Sequence, residues 1–380
     1  MIVEAARCVK CGLCLAECPT YGLTASEAMS PRGRITLVQA LAQGQILPDD
    51  HSAEVLNSCL LCRRCDAMCP SEVQFTKIMD QGLSLVRSQQ GMKSRLLNVV
   101  LPRPGLMRWL LRLGRPVLPV FPRLNILARQ ARTDAPRPAP VYRPDISKPV
   151  GRVGLFVGCT GSLFDSVALD SAISLLLRAG YEVAAPVKQV CCGALDAHAG
   201  NIDRAVRLAA ANEAAFAAIG ELDAVISIAS GCGAQLDAYE VLGARHWDIA
   251  DFLAQEAVIS RLEFRPLPKS AAVHIPCTLE NVLHSGDSVL KLLACIPELK
   301  AEAVGKKGAC CGAGGTGAVL RPGVADRLRE PFVWQIADAS PDFVLSSNVS
   351  CRLYLQSAVD GQDPEYLHPV TLLARQLIRD

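Results

Sequence analysis

Four short apolar runs punctuate the later part of the chain: Val153-Gly-Leu-Phe-Val157, Ala224-Val-Ile-Ser-Ile228, Ala271-Ala-Val-His-Ile275 and Phe343-Val-Leu345. Runs of this length bounded by turn residues read as buried strands. Between them, apolar positions recur at helical spacing from about Phe164 to Ala179, stopped by Gly180. They do so again from Asn201, a candidate N-cap, to Ile219, stopped by Gly220. A further helical stretch, Gly323 to Ala337, carries Pro331, which predicts a kink or break there. Strands alternating with helices predict a parallel sheet, whose sites form beyond the carboxyl ends of its strands. Nearer the start, Arg34-Ile-Thr-Leu-Val-Gln-Ala-Leu-Ala-Gln predicts an amphipathic helix.

Cysteine changes this picture most. The 380 residues include 17 cysteines, far more than packing needs. Cys8 follows Met1 too closely for a secretory leader, and no run of 18 apolar residues suggests a membrane span. Cysteines in a reducing compartment read as metal ligands rather than disulfides. Eight lie within residues 1–90 and nine within 151–380; the intervening 91–150 has none.

The first eight form Cys8-x2-Cys11-x2-Cys14-x3-Cys18-Pro19 and Cys59-x2-Cys62-x2-Cys65-x3-Cys69-Pro70. This doubled spacing is the bacterial two-cluster ferredoxin pattern, in which three thiolates wrap one cubane and the fourth ligates the other. Cluster A is expected on Cys8, Cys11, Cys14 and Cys69, and cluster B on Cys59, Cys62, Cys65 and Cys18. Zinc favours paired knuckles and does not call for the doubled pattern ending in proline. Lys10, Arg63 and Arg64 flank the ligands, where they either raise cluster potentials or are simply solvated.

The later cysteines are duplicated. Cys159, Cys191, Cys192 and Cys232 recur as Cys277, Cys310, Cys311 and Cys351, at offsets of 118, 119, 119 and 119 residues. Each set offers four thiolates, candidates for a third and a fourth cluster, and Gly193 and Gly312 let backbone approach closely. The competing reading is a redox disulfide or a unit that has lost its metal. Cys295, in Leu292-Leu-Ala-Cys-Ile296, reads as a buried core residue. Gly312-Ala-Gly314-Gly315-Thr-Gly317 matches a dinucleotide fingerprint formally but lacks the strand that should precede it. The glycines read instead as backbone passing close to a cluster. His198 and His274 could tune a cluster or lie near a quinone, with satisfied core or surface roles as the simpler reading. No paired carboxylates, nucleophile elbow or hydrolase motif appears, so catalytic residues for the organic substrate stay unassigned.

These residues resemble the glycolate oxidase iron–sulfur subunit family. The resemblance rests on Cys18-Pro-Thr-Tyr21, Pro31-Arg-Gly-Arg-Ile35, Cys191-Cys-Gly-Ala194, Ser230-Gly-Cys-Gly-Ala234, Pro276-Cys-Thr-Leu279 and Cys310-Cys-Gly312. It covers nearly the whole chain. The wider family includes lactate-utilisation iron–sulfur proteins, an anaerobic glycerol-phosphate dehydrogenase subunit and heterodisulfide reductase subunits.

The resemblance implies an α+β multidomain chain. A helical two-[4Fe-4S] ferredoxin domain (1–90) and a basic Pro-rich connecting segment (91–150) would precede two α/β Cys-Cys-Gly units (151–260 and 261–380). It further implies an electron-transfer subunit of a flavin-linked glycolate dehydrogenase, with FAD-binding partner subunits and quinone or another acceptor downstream. A lactate-utilisation subunit is the alternative within this class. A heterodisulfide-reductase-like catalytic subunit is the other, but Ala229 and Asn348 stand where such units carry a fifth cysteine.

Net charge is only +2 and aromatics are 5%, so nucleic acid is not an expected partner. Gln81 to Thr133 nonetheless holds ten Lys/Arg and no acid. Arg95, Arg103, Arg108, Arg112, Arg115 and Arg123 interleave there with Leu106, Met107, Trp109, Leu110, Leu111, Leu113, Val117, Leu118, Val120 and Phe121. Prolines at 102, 104, 116, 119 and 122 preclude one long helix. Residues 92–130 therefore suit anionic lipid, a partner subunit or an interdomain wrap. Asp134-Ala-Pro-Arg-Pro-Ala-Pro140 reads as an extended linker. The expected location is cytoplasmic, with peripheral contact on the inner face of the membrane as one reading of this segment.

Overall fold

The computed structural model describes residues 2–114, 130–134, 138–359 and 364–378. Arg115, Val117, Leu118, Val120, Phe121, Arg123 and the prolines at 116, 119 and 122 of the basic segment lie outside these residues, as does part of the 134–140 linker.

The N-terminal part is helical. Helices Pro31–Ala42, Asp50–Asn57 and Phe75–Leu85 enclose a core of Ile35, Val38, Leu56, Ile78, Met79 and Leu83. Ser30 caps the first through its side chain and Pro31 opens it, a start that needs no amide proton. Gly82 lets two helices meet: a Cβ there would lie 2.4 Å from a Val38 methyl.

The later part is mixed helix and sheet. The first sheet contains β1 (Val141–Tyr142), β2 (Gly151–Phe156), β3 (Tyr181–Ala184), β4 (Ala224–Ser227) and β5 (His246–Asp248), in spatial order β1-β3-β2-β4-β5. The second contains β6 (Ser270–His274), β7 (Lys300–Val304), β8 (Phe343–Ser346) and β9 (Glu365–Leu367), in order β7-β6-β8-β9. Apart from β1, which pairs antiparallel with β3, every pairing is parallel. The order β3-β2-β4-β5 is that of β7-β6-β8-β9, so the cysteine repeat is a structural duplication. In each sheet the chain leaves the central strand to one side and returns on the other. A crevice opens at such a switch point, and the cysteines lie there.

The two sheets share one core. Helix Ser166–Arg178 packs against the C-terminal helix Pro369–Gln376, and a single apolar cluster runs from Leu155 and Leu176 to Leu345 and Leu372. Arg352, buried, donates to Asp165 at 2.6 Å and to the Phe164 carbonyl at 2.8 Å across this seam.

Two sequence expectations need correction. Helix Pro322–Ala339 runs through Pro331 without a break. Pro331 faces solvent, where water can satisfy the carbonyl it frees. Cys295 is exposed, not core. Leu292, Leu293 and Ile296 turn inward, and the intervening position turns out. Asn201 does precede helix Ile202–Ala217, but its side chain donates to Asp196 at 3.0 Å rather than capping.

The connecting segment forms helices Met92–Val100 and Pro104–Gly114. Met107 docks the second onto Leu163, Phe164, Val349 and Leu353. Met92, Leu96, Trp109 and Leu113 point to solvent, each more than half exposed (57–86%), beside Lys93, Arg95, Arg108 and Arg112. No helix among the described residues is long and apolar enough to cross a membrane.

Candidate iron–sulfur sites

Two pockets open in the helical part. One is lined by Cys8, Cys11, Cys14 and Cys69, with Cys65 at its edge. The other is lined by Cys18, Cys59, Cys62 and Cys65. The fourth cysteine of each motif therefore lines the pocket of the other.

The two loops share one backbone solution. Lys10 and Gly12 have φ of 56° and 87°, and the matching Leu61 and Arg63 have 50° and 59°. Left-handed residues two apart curl the chain around a centre, at a cost of about 1 kcal/mol for each non-glycine. Burial pushes the Cys59, Cys62 and Cys65 thiols well up, so they need a cation to hold them as thiolates.

Arg34 is what the sequence reading missed. It is 1% exposed and forms no ion pair among the described residues. It donates to the Val55 carbonyl at 3.0 Å, Thr20 Oγ1 at 3.1 Å and Ser58 Oγ at 2.7 Å, and its Nη1 lies 4.0 Å from Cys18 Sγ. A buried guanidinium without a carboxylate costs several kcal/mol unless another negative group lies beside it. A thiolate-ligated iron–sulfur core is such a group, so the donor set and its surroundings fit one. The flanking cations named from sequence are spent otherwise. Lys10 is exposed, Arg63 pairs with Asp66 at 3.1 Å, and Arg64 pairs with Glu17.

The Cys-Cys-Gly units each gather four sulfurs at the strand ends. Cys159, Cys191 and Cys192 are buried and Cys232 half-buried; Cys310, Cys311 and Cys351 are buried and Cys277 half-buried. Gly193 donates its amide to Cys191 Sγ at 3.5 Å, and Gly312 to Cys310 Sγ at 3.4 Å. Hydrogen bonds from Cys159 and then Cys192 draw Cys191 down, while the same contacts raise the two partners. In the second unit Cys351 and His274 likewise draw Cys311 down.

The units differ in how they are held. In the first, buried Asn212 donates to the Cys191 carbonyl and to Tyr239 Oη, both at 3.1 Å, and Tyr239 donates to the Cys192 carbonyl at 2.8 Å. Position 331, a proline, replaces Asn212 in the second unit. There His274 lies with Cys311 and Cys351 in a group whose ligand atoms are within 4.8 Å of one another. Phe156 occupies the matching place in the first unit.

The helical part abuts the second unit closely. Asn281 Nδ2 donates to the Cys62 carbonyl at 2.8 Å and to the Gly308 carbonyl at 3.0 Å. Lys306 pairs with Glu17 at 3.2 Å. Gly314 lies against the Leu60 carbonyl, which a Cβ would approach to 2.9 Å. The Cys62 pocket and the Cys310 set thus share a wall.

Residues 4–73 match the family of 4Fe-4S dicluster domains, and residues 153–237 and 271–356 each match the cysteine-rich domain family. A glycolate oxidase iron-sulfur subunit of Escherichia coli K12 is 30% identical over 92% of this chain and 89% of its own length. A probable glycolate oxidase iron-sulfur subunit of Bacillus subtilis 168 is 28% identical over 94% and 90%. Lactate utilization protein A of Bacillus velezensis is 24% identical over 56% of this chain and 93% of its own length.

Proposed function

Because the chain belongs to the family of glycolate oxidase iron–sulfur subunits, we propose that it carries electrons from FAD-binding partner subunits towards quinone in a glycolate dehydrogenase. The observation that carries this reading is Arg34, a buried cation with no carboxylate partner among the described residues, whose Nη1 lies 4.0 Å from the sulfur of Cys18 in the doubled ferredoxin pattern. When bound, [4Fe-4S] clusters supply one-electron steps to a two-electron flavin. Cys8, Cys11, Cys14 and Cys69 would hold cluster A, and Cys18, Cys59, Cys62 and Cys65 cluster B. Cys159, Cys191, Cys192 and Cys232 would hold a third cluster, and Cys277, Cys310, Cys311 and Cys351 a fourth. The wall shared by Cys62 and Cys310 supports electron exchange between cluster B and the second unit, with cluster B as the branch point.

Disulfide reduction at these units is disfavoured. Ala229 offers no ligand, and Asn348 is occupied in accepting from the Ser350 amide at 3.2 Å. The hydroxy-acid pocket belongs to a partner chain on this reading, and lactate is the alternative substrate.

Iron and sulfide analysis of anaerobic protein is expected to give about eight of each for the ferredoxin pair alone and about sixteen with both Cys-Cys-Gly units filled. Reduced flavoprotein subunits should bleach the visible absorption. Zinc in place of iron, or clusters that the flavoprotein leaves oxidised, would remove the proposal.

The exposed Trp109 and Leu113, set among arginines, support peripheral contact with anionic lipid. Flotation with vesicles rich in anionic lipid is expected to carry the protein upward. High salt or Trp109→Ser should weaken that, and equal flotation with neutral vesicles would contradict it.

A further inference from the structure

Where the helical part and both Cys-Cys-Gly units meet, the protein carries a half-open cavity of about 300 Å³. Several segments distant in sequence build it. Cys59, Leu60 and Leu61 come from the second ferredoxin loop, Leu195 and His198 from just after the first Cys-Cys-Gly turn, and Gly314 to Arg321 from just after the second. Helix Met92–Val100 closes a further side with Lys93, Ser94 and Asn98.

The lining has a chemical bias. Arg321 and His198 make no side-chain hydrogen bond or ion pair among the described residues. Arg321 stands close enough to Cys59 for its charge to act on that thiol, against the larger upward push of burial. Burial presses the His198 imidazole down to about 4, with Arg63 acting in the same direction. It is therefore neutral at physiological pH, one nitrogen a donor and the other an acceptor. Leu60, Leu61, Leu195 and Leu320 supply apolar walls, and the acids Asp50 and Glu54 are exposed at the rim. Leucine walls suit a flat ring, and unsatisfied donors suit carbonyl oxygens on it. The volume is at the small end of the usual range for ligand sites.

We propose that this cavity is the docking site for the head group of a quinone-class electron acceptor, with Arg321 and His198 recognising its carbonyl oxygens. The inference rests on the electron-transfer reading above and locates where that route leaves the protein. Because Cys59 lines the cavity, a ring bound there touches the protein shell of the cluster B site. Reduction of the ring takes two electrons, delivered one at a time by way of the Cys59 side, and two protons from water at the rim. Both ring carbonyls become hydroxyls, and the reduced flavin of the partner subunit returns to its oxidised form.

The test uses the full chain, loaded anaerobically, reduced and mixed with a water-soluble benzoquinone bearing a short prenyl tail. Reoxidation is followed by visible absorbance. The rate is expected to saturate with quinone. Arg321→Gln should raise the half-saturating concentration about tenfold, and Ser94→Trp, which fills the cavity from a surface helix, should abolish saturation. Ser94→Trp should keep the wild-type iron content and reoxidise normally with ferricyanide, which can collect electrons beside the exposed Cys11, and rates for Arg321→Gln are compared per iron bound. Quinone reoxidation that is linear in concentration, or identical in all three proteins, would overturn the site while flavoprotein reduction of the clusters left the electron-transfer role standing. Failure of that reduction would overturn the role itself.

Discussion

Replacing Arg34 by methionine is expected to halve the iron of the ferredoxin pair, from about eight to about four atoms per chain, by removing cluster B and sparing cluster A. Arg34 binds together the segments that carry Cys18 and Cys59, through Thr20 on one side and Ser58 and Val55 on the other. Methionine fills much of the same volume. Thr20 and Ser58 retain partners of their own, the Met29 carbonyl and the Val55 carbonyl. The loss is therefore mainly one of charge. In protein loaded with iron, removing the cation that faces a negative group should cost on the order of 3–5 kcal/mol. In metal-free protein the same change removes an uncompensated buried charge and should be neutral or stabilising. Thermal unfolding of the two forms should thus shift in opposite directions. Full iron content in the variant, or a loss of stability equal in both forms, would show that Arg34 does not face a cluster.

His274→Phe gives the second Cys-Cys-Gly unit the residue of the first, and is expected to lower the reduction potential of a cluster held there. Nδ1 of His274 lies 3.0 Å from Ser346 Oγ, while Nε2 is buried with no oxygen or nitrogen partner. If Ser346 donates to Nδ1, Nε2 carries the proton and lies beside Cys311 and Cys351. A hydrogen bond to a ligand sulfur stabilises the more negative, reduced state. One such bond, worth about 1.4 kcal/mol between the two redox states, corresponds to roughly tenfold in equilibrium and about 60 mV. His274→Gln should keep part of the effect. An EPR-monitored redox titration checks this, and phenylalanine leaving every midpoint in place would count against the hydrogen bond. A packing role alone, through the edge contact with Phe332 at 5.0 Å, would alter stability without moving a potential.

The cysteine sets were legible because their spacing is local. Three ligands two residues apart constrain one loop whatever surrounds it, and a repeat kept in register over 119 residues announces two units of one topology. The central strands β2, β4, β6 and β8 were also legible, being continuous apolar runs buried on both faces. The strands β3, β5, β7 and β9 were not named. They have only three to five residues, and β7, Lys300-Ala-Glu-Ala-Val304, is largely exposed.

What surrounds the sulfurs was harder to see. Arg34 lay in plain view within Pro31-Arg-Gly-Arg-Ile35, but its burial depends on residues from 20 to 58. Asn281 reaches Cys62 across 219 positions. The cavity is lined by segments from several regions that no local pattern links. Pro331 shows the reverse case, a proline that does not break its helix, at a position turned to water.

The pairing of helix Ser166–Arg178 with helix Pro369–Gln376 has a consequence for biogenesis. The duplicated units look like beads that could fold one after the other as the ribosome delivers them. They cannot, because the apolar side of the first is finished by helix Pro369–Gln376, which follows the second in the chain. Until that helix has been made, the face of helix Ser166–Arg178 that it covers has no permanent partner, and the growing polypeptide must be kept from clumping in the meantime.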